Sequence, residues 1–210
     1  FAHLGCYGGL VDTPNYDRLA ERGLRYTNFH TTALCSPTRA CLLTGRNHHS
    51  VGMRGLSNFD TGYPNMRGRI ARSAGTMAEM LRGDGFATWA VGKWHLGFGT
   101  EKQVDFAAPL HPGPVDLGFD EFFGIPASLD IPPYVYVLGD RAVQPPTVTV
   151  PGSAHRRQKG GGFWRKGPAA PDFRHAEVLP RFGFRAVEFI ERSVRTDPDK
   201  PFFLYLALSA

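Results

Sequence analysis

Twice in this chain an amphipathic helical pattern runs directly into a short apolar strand pattern, and that repeat restricts the fold more than any other feature. Thr76 and Glu79 stand in a capping-box relation, and Met77, Met80 and Leu81 continue an apolar helix face as far as Gly83. Phe86-Ala87-Thr88-Trp89-Ala90-Val91 follows and reads as a buried strand. Near the other end, Ala186, Val187, Phe189, Ile190 and Val194 mark a second helix, Asp197-Pro198-Asp199-Lys200-Pro201 its exit turn, and Phe202 to Leu208 a second buried strand. Helix then strand, repeated, predicts a three-layer α/β/α sandwich around a mixed, largely parallel sheet. With 42% hydrophobic side chains over 210 residues, the chain can build one good-sized core or a large piece of a bigger one. No internal repeat and no linker divides it, so residues 1–210 are read as one unit.

Between the N-terminus and the first of these pairs lies the stretch with the most chemistry, Cys35-Ser36-Pro37-Thr38-Arg39-Ala40-Cys41-Leu42-Leu43-Thr44-Gly45-Arg46. Ser36 suits an N-cap, Pro37 a first helical position that needs no N–H, and Gly45 a C-terminal stop. Cys35 is then expected just ahead of a helix N-terminus, where unpaired N–H groups and the helix dipole favour negative charge. Arg39 adds a fixed cation from the first turn. A helix from Thr13-Pro14 to Gly23 and a strand from Leu24 to His30 are expected upstream, which would put Cys35 at a strand-to-helix junction.

The apolar strand ending at Val91 runs into Gly92-Lys93-Trp94-His95-Leu96-Gly97. On alternation, Lys93 and His95 share one side of an extended segment and Trp94 takes the other, so two cationic or proton-carrying groups converge just past a strand end. Elsewhere the signals are structural. His48-His49 lie in a long loop from Arg46 to Arg72 without an acidic partner and read as plain loop residues at a pocket rim. Asp120 and Glu121 are adjacent and face opposite sides if extended, which makes them a poor metal pair. Gly139-Asp140 reads as a hairpin turn between Tyr134–Leu138 and Arg141–Val143, and Gln144 to Pro171 as a solvated insertion.

Cys-Ser-Pro-Thr-Arg followed by Leu-Thr-Gly-Arg closely resembles the signature of the type I sulfatases, in which the cysteine is converted after synthesis to formylglycine. Gly-Lys-Trp-His-Leu-Gly resembles the second signature of the same family, in the expected order, and the whole looks most like the arylsulfatase branch. A cysteine phosphatase would instead place an Arg at the sixth residue after Cys35, which is Cys41. The resemblance implies an alkaline-phosphatase-like fold, a divalent metal (calcium, or alternatively magnesium), and hydrolysis of sulfate esters. It also implies a maturation enzyme that generates the formylglycine.

Carried over by position, Cys35 becomes the formylglycine that serves as nucleophile and metal ligand, and Arg39 holds its hydrate. Lys93 bridges hydrate and sulfate, and His95 takes a proton to expel the product. Ile125-Pro126-Ala127-Ser128 resembles a segment in which a serine touches the substrate sulfate, which makes Ser128 a candidate contact. Two readings stand beside this one: a phosphate or phosphonate ester hydrolase of the same superfold, and a non-catalytic relative that binds anions or glycans.

The net charge of +5 fits an anionic substrate but singles none out. Aromatics among the basic residues of the insertion form no stacking platform, so no nucleic acid partner is expected. Three cysteines give no even disulfide framework, and no apolar run approaches the ~18 residues of a membrane span. Phe1 in place of an initiator Met, and an apolar strand at the very end, read as a partial catalytic domain cut at both ends. The remaining metal acids and the leaving-group acid are expected outside it, and the isolated piece is expected to be inactive. Compartment and the particular ester are left open.

Overall fold

The computed structural model describes residues 3–57, 59–101, 103–155 and 162–209. They fall into two compact units, residues 1–32 and 33–210. In the first, a short 3-10 turn precedes helix α1 (Pro14–Arg22). The Thr13 hydroxyl accepts from the Gly5 N–H (2.8 Å) and donates to Asp17 (3.0 Å), which also accepts from the Cys6 N–H (2.8 Å). Thr13-Pro14 therefore opens the helix as the sequence implies. The strand expected over Leu24–His30 does not form: the segment is irregular, and Leu24, Tyr26 and Phe29 are exposed. Its alternation has no ladder partner and no buried face within the unit to fix it.

The second unit is built on a five-stranded sheet. Helix α2 (Cys35–Thr44) comes first, then α3 (Met77–Gly83) and strand β1 (Ala87–Lys93). Strand β2 (Glu121–Ile125) and the hairpin β3 (Val137–Leu138) and β4 (Arg141–Ala142) follow. A separate two-stranded sheet holds β5 (Val148–Val150) and β6 (Gly167–Ala169), and the unit ends with helix α4 (Val178–Thr196) and strand β7 (Phe202–Ala207). The main sheet has the order β4-β3-β2-β1-β7; β1 pairs in parallel with β2 and β7, and the hairpin adds the antiparallel edge. Both helix-to-strand pairs of the sequence thus end in adjacent parallel strands, β1 inside the sheet and β7 at the end of the strand order, where Phe202 and Leu206 are exposed and the strand is less buried than its apolar run implies.

Strand alternation sorts the core into layers. Trp89, Glu121 and Phe123 share one face. α4 covers it: Phe189 packs on Trp89 (5.4 Å between ring centres), Phe182 packs edge-on to Phe123 (6.3 Å), and Arg192 pairs with Glu121. On the other face Phe119 stacks on Phe203 and Tyr205, and Trp94 packs edge-on against Phe119 and Phe122. α2 lies on this second face, since Arg39 reaches Tyr205. α3 is anchored below by its capping box, and the Thr76 hydroxyl also donates to the Leu117 carbonyl (2.6 Å). The insertion expected to be solvated is partly folded: β5 and β6 pair, Ala169 and Ala170 are buried, and Arg165 bridges to Asp130 (3.3 Å).

Candidate active site

The central strand ends in a way that only glycine permits. Gly92 and Gly124 are partners across β1 and β2. A Cβ on Gly124 would stand 1.9 Å from the Gly92 carbonyl oxygen, and one on Gly92 would stand 2.1 Å from the Ala207 oxygen. Gly92 also has φ +119°, outside the reach of other residues. β1 can therefore leave the sheet plane at its C-terminal end, where open α/β sheets gather their ligands. Beyond it the Trp94 and His95 N–H groups still donate to the carbonyls of Ile125 (3.0 Å) and Pro126 (2.9 Å). His95 itself takes φ +56°, a left-handed conformation that costs an L-residue on the order of 1 kcal/mol or more and is held here by its surroundings.

α2 starts two residues earlier than the cap chemistry predicts. Leu34 occupies the N-cap, Cys35 is the first helical residue, and Ser36 lies buried in the first turn, where its hydroxyl accepts from the Ser57 N–H (3.3 Å). Ser36 is thus a tether for the loop after α2 and not a cap. Cys35 is reached from irregular chain, not from a strand; the strand end is contributed by Lys93. Gly45 closes the helix in a left-handed turn at φ +63°.

Four of the five singled-out residues form direct contacts, and Arg39 joins them through backbone. Cys35 Sγ lies 3.1 Å from His95 Nδ1, and Lys93 Nζ donates to Ser128 Oγ at 2.6 Å. Arg39 donates to the Lys93 carbonyl and, at 3.4 Å, to the Tyr205 hydroxyl. Trp94, between Lys93 and His95, points away into the aromatic core and donates its indole N–H to the Gly97 carbonyl (2.8 Å). Alternation over Gly92–Gly97 anticipates this convergence, although His95 achieves it from a left-handed turn. His48 and His49 stay outside: His48 Nδ1 meets the Met53 carbonyl, and the His49 N–H is held by Asn47. Asp120 serves the Thr88 N–H (3.0 Å), and Glu121 serves Arg192. Tyr205 is the residue that pattern reading passes over, because it sits inside an apolar run; its hydroxyl is the signal.

Burial sets the protonation of the cluster. His95 is fully buried, and that burial, with the Lys93 and Arg39 cations beside it, lowers its pKa to about 3. The imidazole is neutral at physiological pH and available as an acceptor. Burial likewise pushes the Lys93 ammonium below its usual range; Arg39 adds to the depression, and Cys35 and Asp130 oppose it. Two buried polar atoms, Arg39 Nε and His95 Nε2, have no hydrogen-bond partner among the described residues. Orphaned buried donors and acceptors are rare, and at this cluster they suit an oxygen-rich anion. Among the described residues no group of three or more His, Cys, Asp or Glu side chains could hold a metal ion. The donors present at Cys35 are cationic or neutral nitrogens, which do not fit a hard dication by themselves. Beside the cluster, a cavity of about 890 Å³ is walled by Phe59, Phe98, Phe106, Pro126 and Ala127 together with the Asp60–Arg67–Arg69 group. The long loop after Arg46 contributes to that wall, whereas Cys35, Arg39, Lys93, His95 and Ser128 do not line the cavity.

Comparison with known proteins places this geometry in context. N-acetylgalactosamine-6-O-sulfatase of Bacteroides thetaiotaomicron is 41% identical over 142 residues, 67% of this chain and 27% of that protein. Arylsulfatase G of Mus musculus is 31% identical over 221 residues, covering 94% of this chain and 36% of the relative. For arylsulfatase A of Homo sapiens the figures are 42% over 133 residues, 62% and 24%. The chain therefore spans roughly a quarter to a third of the length of these relatives. A solved structure from work on the metabolism of multiple glycosaminoglycans by Bacteroides thetaiotaomicron superposes on 100% of this chain and 48% of its own, with a TM-score of 0.71 at 26% identity. A sulfatase from Pseudoalteromonas sp. shares the fold at a TM-score of 0.62 and 22% identity, over 100% of this chain and 41% of its own. The α/β sandwich of the alkaline-phosphatase type holds. The Sulfatase family model matches residues 1–210, and the chain belongs to the sulfatase family.

Proposed function

We propose that this chain carries the nucleophile end of a sulfuric ester hydrolase that cleaves sulfate monoesters, with Cys35 converted to formylglycine. The observation that carries the reading is the 3.1 Å contact between Cys35 Sγ and His95 Nδ1, made where Lys93, Ser128 and Arg39 also converge. Hydrated, a formylglycine supplies two hydroxyls on one carbon, so one can attack sulfur and the other can later lose its proton to release sulfate and restore the aldehyde. Cys35 fits such a conversion: it begins a helix and is only half-buried.

The chain's own side chains have separable tasks in this reading. His95, neutral and oriented by the Pro126 carbonyl through its backbone N–H, faces residue 35 with Nδ1 and takes the proton there. Lys93 and Ser128 form a donor pair for the sulfate oxygens, aimed at charge that builds as the ester bond breaks. Arg39 offsets negative charge at residue 35, and its unpaired Nε–H is available to an oxygen there. The core packed behind Trp94 keeps bulk water from this side of the site. A divalent metal, calcium by family resemblance, belongs to the reading, but its carboxylate donors are not among the described residues and no step is derived through it.

The sulfate ester is the substrate class that the relatives' names share, and one of those names specifies a 6-O-sulfated N-acetylgalactosamine. The decisive test is mass spectrometry of the Cys35 peptide from protein made together with a formylglycine-generating enzyme. Conversion of the thiol to the aldehyde is expected; an unmodified cysteine in protein with intact activity would defeat the mechanism. Matched aryl sulfate and aryl phosphate esters assayed on the full-length protein separate the sulfatase from a phosphate ester hydrolase, and faster sulfate turnover is expected.

A further inference from the structure

We propose that Tyr205 is the positioning residue for the Arg39 guanidinium, and through it for the nucleophile at residue 35; the inference deepens the hydrolase reading above and depends on it. Arg39 lies four residues after Cys35 on α2, on the same helix face one turn along. A side chain of that length needs lateral contacts to hold one rotamer. Its Nη1 has two: the Lys93 carbonyl at the end of β1, and the Tyr205 hydroxyl on β7 at 3.4 Å. The two strands are neighbours in parallel register, Ala90 opposite Tyr205 and Gly92 opposite Ala207, so the guanidinium is braced by adjacent strands at once.

Tyr205 is built to hold its place. Its ring stacks on Phe119 (6.2 Å, 23° between planes), which stacks in turn on Phe203 and meets Trp94 edge-on. Trp94 separates Lys93 from His95 in sequence, so one aromatic row supports Tyr205 and both functional residues. Within Phe202–Ala207 the phenol is the only polar side chain. Burial holds its pKa above the usual value, against the lowering effect of Arg39, so the hydroxyl stays protonated and neutral and can accept from the cation without adding a charge. With the Lys93 carbonyl and Tyr205 occupying Nη1, the buried Nε–H, which has no partner among the described residues, is left for residue 35 or what it carries.

The test is Tyr205→Phe in the full-length protein, which keeps the ring and its stacking and removes only the oxygen. Turnover of p-nitrophenyl sulfate is divided by the formylglycine content of each preparation, counted by mass spectrometry, so that maturation and chemistry are separated. The expected result is a fall in kcat per formylglycine of about fivefold to tenfold, with KM within about twofold and the melting temperature essentially unchanged. An unchanged kcat per formylglycine overturns the proposal. So does a loss that comes with a lowered melting temperature and a raised KM, which marks a packing role. Wild-type protein with an unmodified Cys35 and no sulfate turnover sinks the hydrolase reading itself, an outcome distinct from either.

Discussion

At the scale of single residues, the cluster divides into groups that differ in how completely the fold commits them. His95 is fully buried, sits in a left-handed turn, and is depressed to a pKa of about 3, so nothing in its surroundings favours the imidazolium. A buried neutral histidine with one nitrogen 3.1 Å from Cys35 Sγ has few structural reasons to exist, and on the proposed reading its replacement should be severe. His95→Ala in the full-length protein is expected to lower kcat by about a hundredfold to ten-thousandfold in an aryl sulfate assay, with the melting temperature followed as a control for the cavity. Ser128 is committed less. Its hydroxyl accepts from Lys93 at 2.6 Å, and it makes no direct contact with Cys35 or His95 in the cluster's hydrogen bonds. Ser128→Ala should therefore act mainly on KM, by about tenfold or less, and a kcat loss as large as that of His95→Ala would contradict the assigned contact.

At the scale of elements, the glycine pair under the site is a sharper structural requirement than any apolar contact in the core. Gly124→Ala puts a methyl group 1.9 Å from the Gly92 carbonyl, against backbone that cannot yield without separating β1 from β2. Overpacking against a strand costs more than against a flexible side chain. The expected loss is about 3 kcal/mol or more, seen as a drop of roughly 10 °C in thermal melting, and a change within about 2 °C would refute the close-approach argument. A second element-scale device is the clamp at His111, whose Nδ1 and Nε2 each lie 2.9 Å from a carboxylate, Asp116 in one turn and Asp140 in the β3–β4 turn. Only the imidazolium can donate to both, and the Asp116 hydrogen bond is the main cause that raises its pKa. The folded pKa is raised, so the clamp's stabilisation is fully present below the unfolded pKa of about 6.5 and is lost as pH rises through the folded value. Melting curves of wild type and His111→Gln should differ more at about pH 5.5 than at about pH 8.5; equal differences would show that the clamp does not titrate.

At the scale of the whole molecule, what the sequence made legible was periodicity and local spacing, and what it hid was partnership. The two helix-to-strand patterns became neighbouring parallel strands with α4 packed on one face and α2 on the other, and the two signature stretches met because α2 begins beside the C-terminal end of β1. The Leu24–His30 alternation failed because a strand exists only with a ladder beside it, which no local pattern records. Ser36 failed as a cap because its hydroxyl had a tertiary use with Ser57. Tyr205 was invisible as a site residue because its meaning depends on Arg39, distant in sequence. The same distinction bears on activity. On the proposed reading the described residues supply the nucleophile, base and cationic donors, but among them no group of three or more His, Cys, Asp or Glu side chains could hold a metal ion. Sulfate ester cleavage without charge neutralisation at the nucleophile forgoes several kcal/mol of transition-state stabilisation, on the order of a thousandfold in rate or more. The 210-residue chain expressed by itself with a formylglycine-generating enzyme is therefore expected to show the aldehyde at residue 35 but no measurable turnover of an aryl sulfate with calcium present. Turnover by that chain would mean that its own residues suffice for the chemistry, and turnover that survives a chelator would mean that the metal is dispensable.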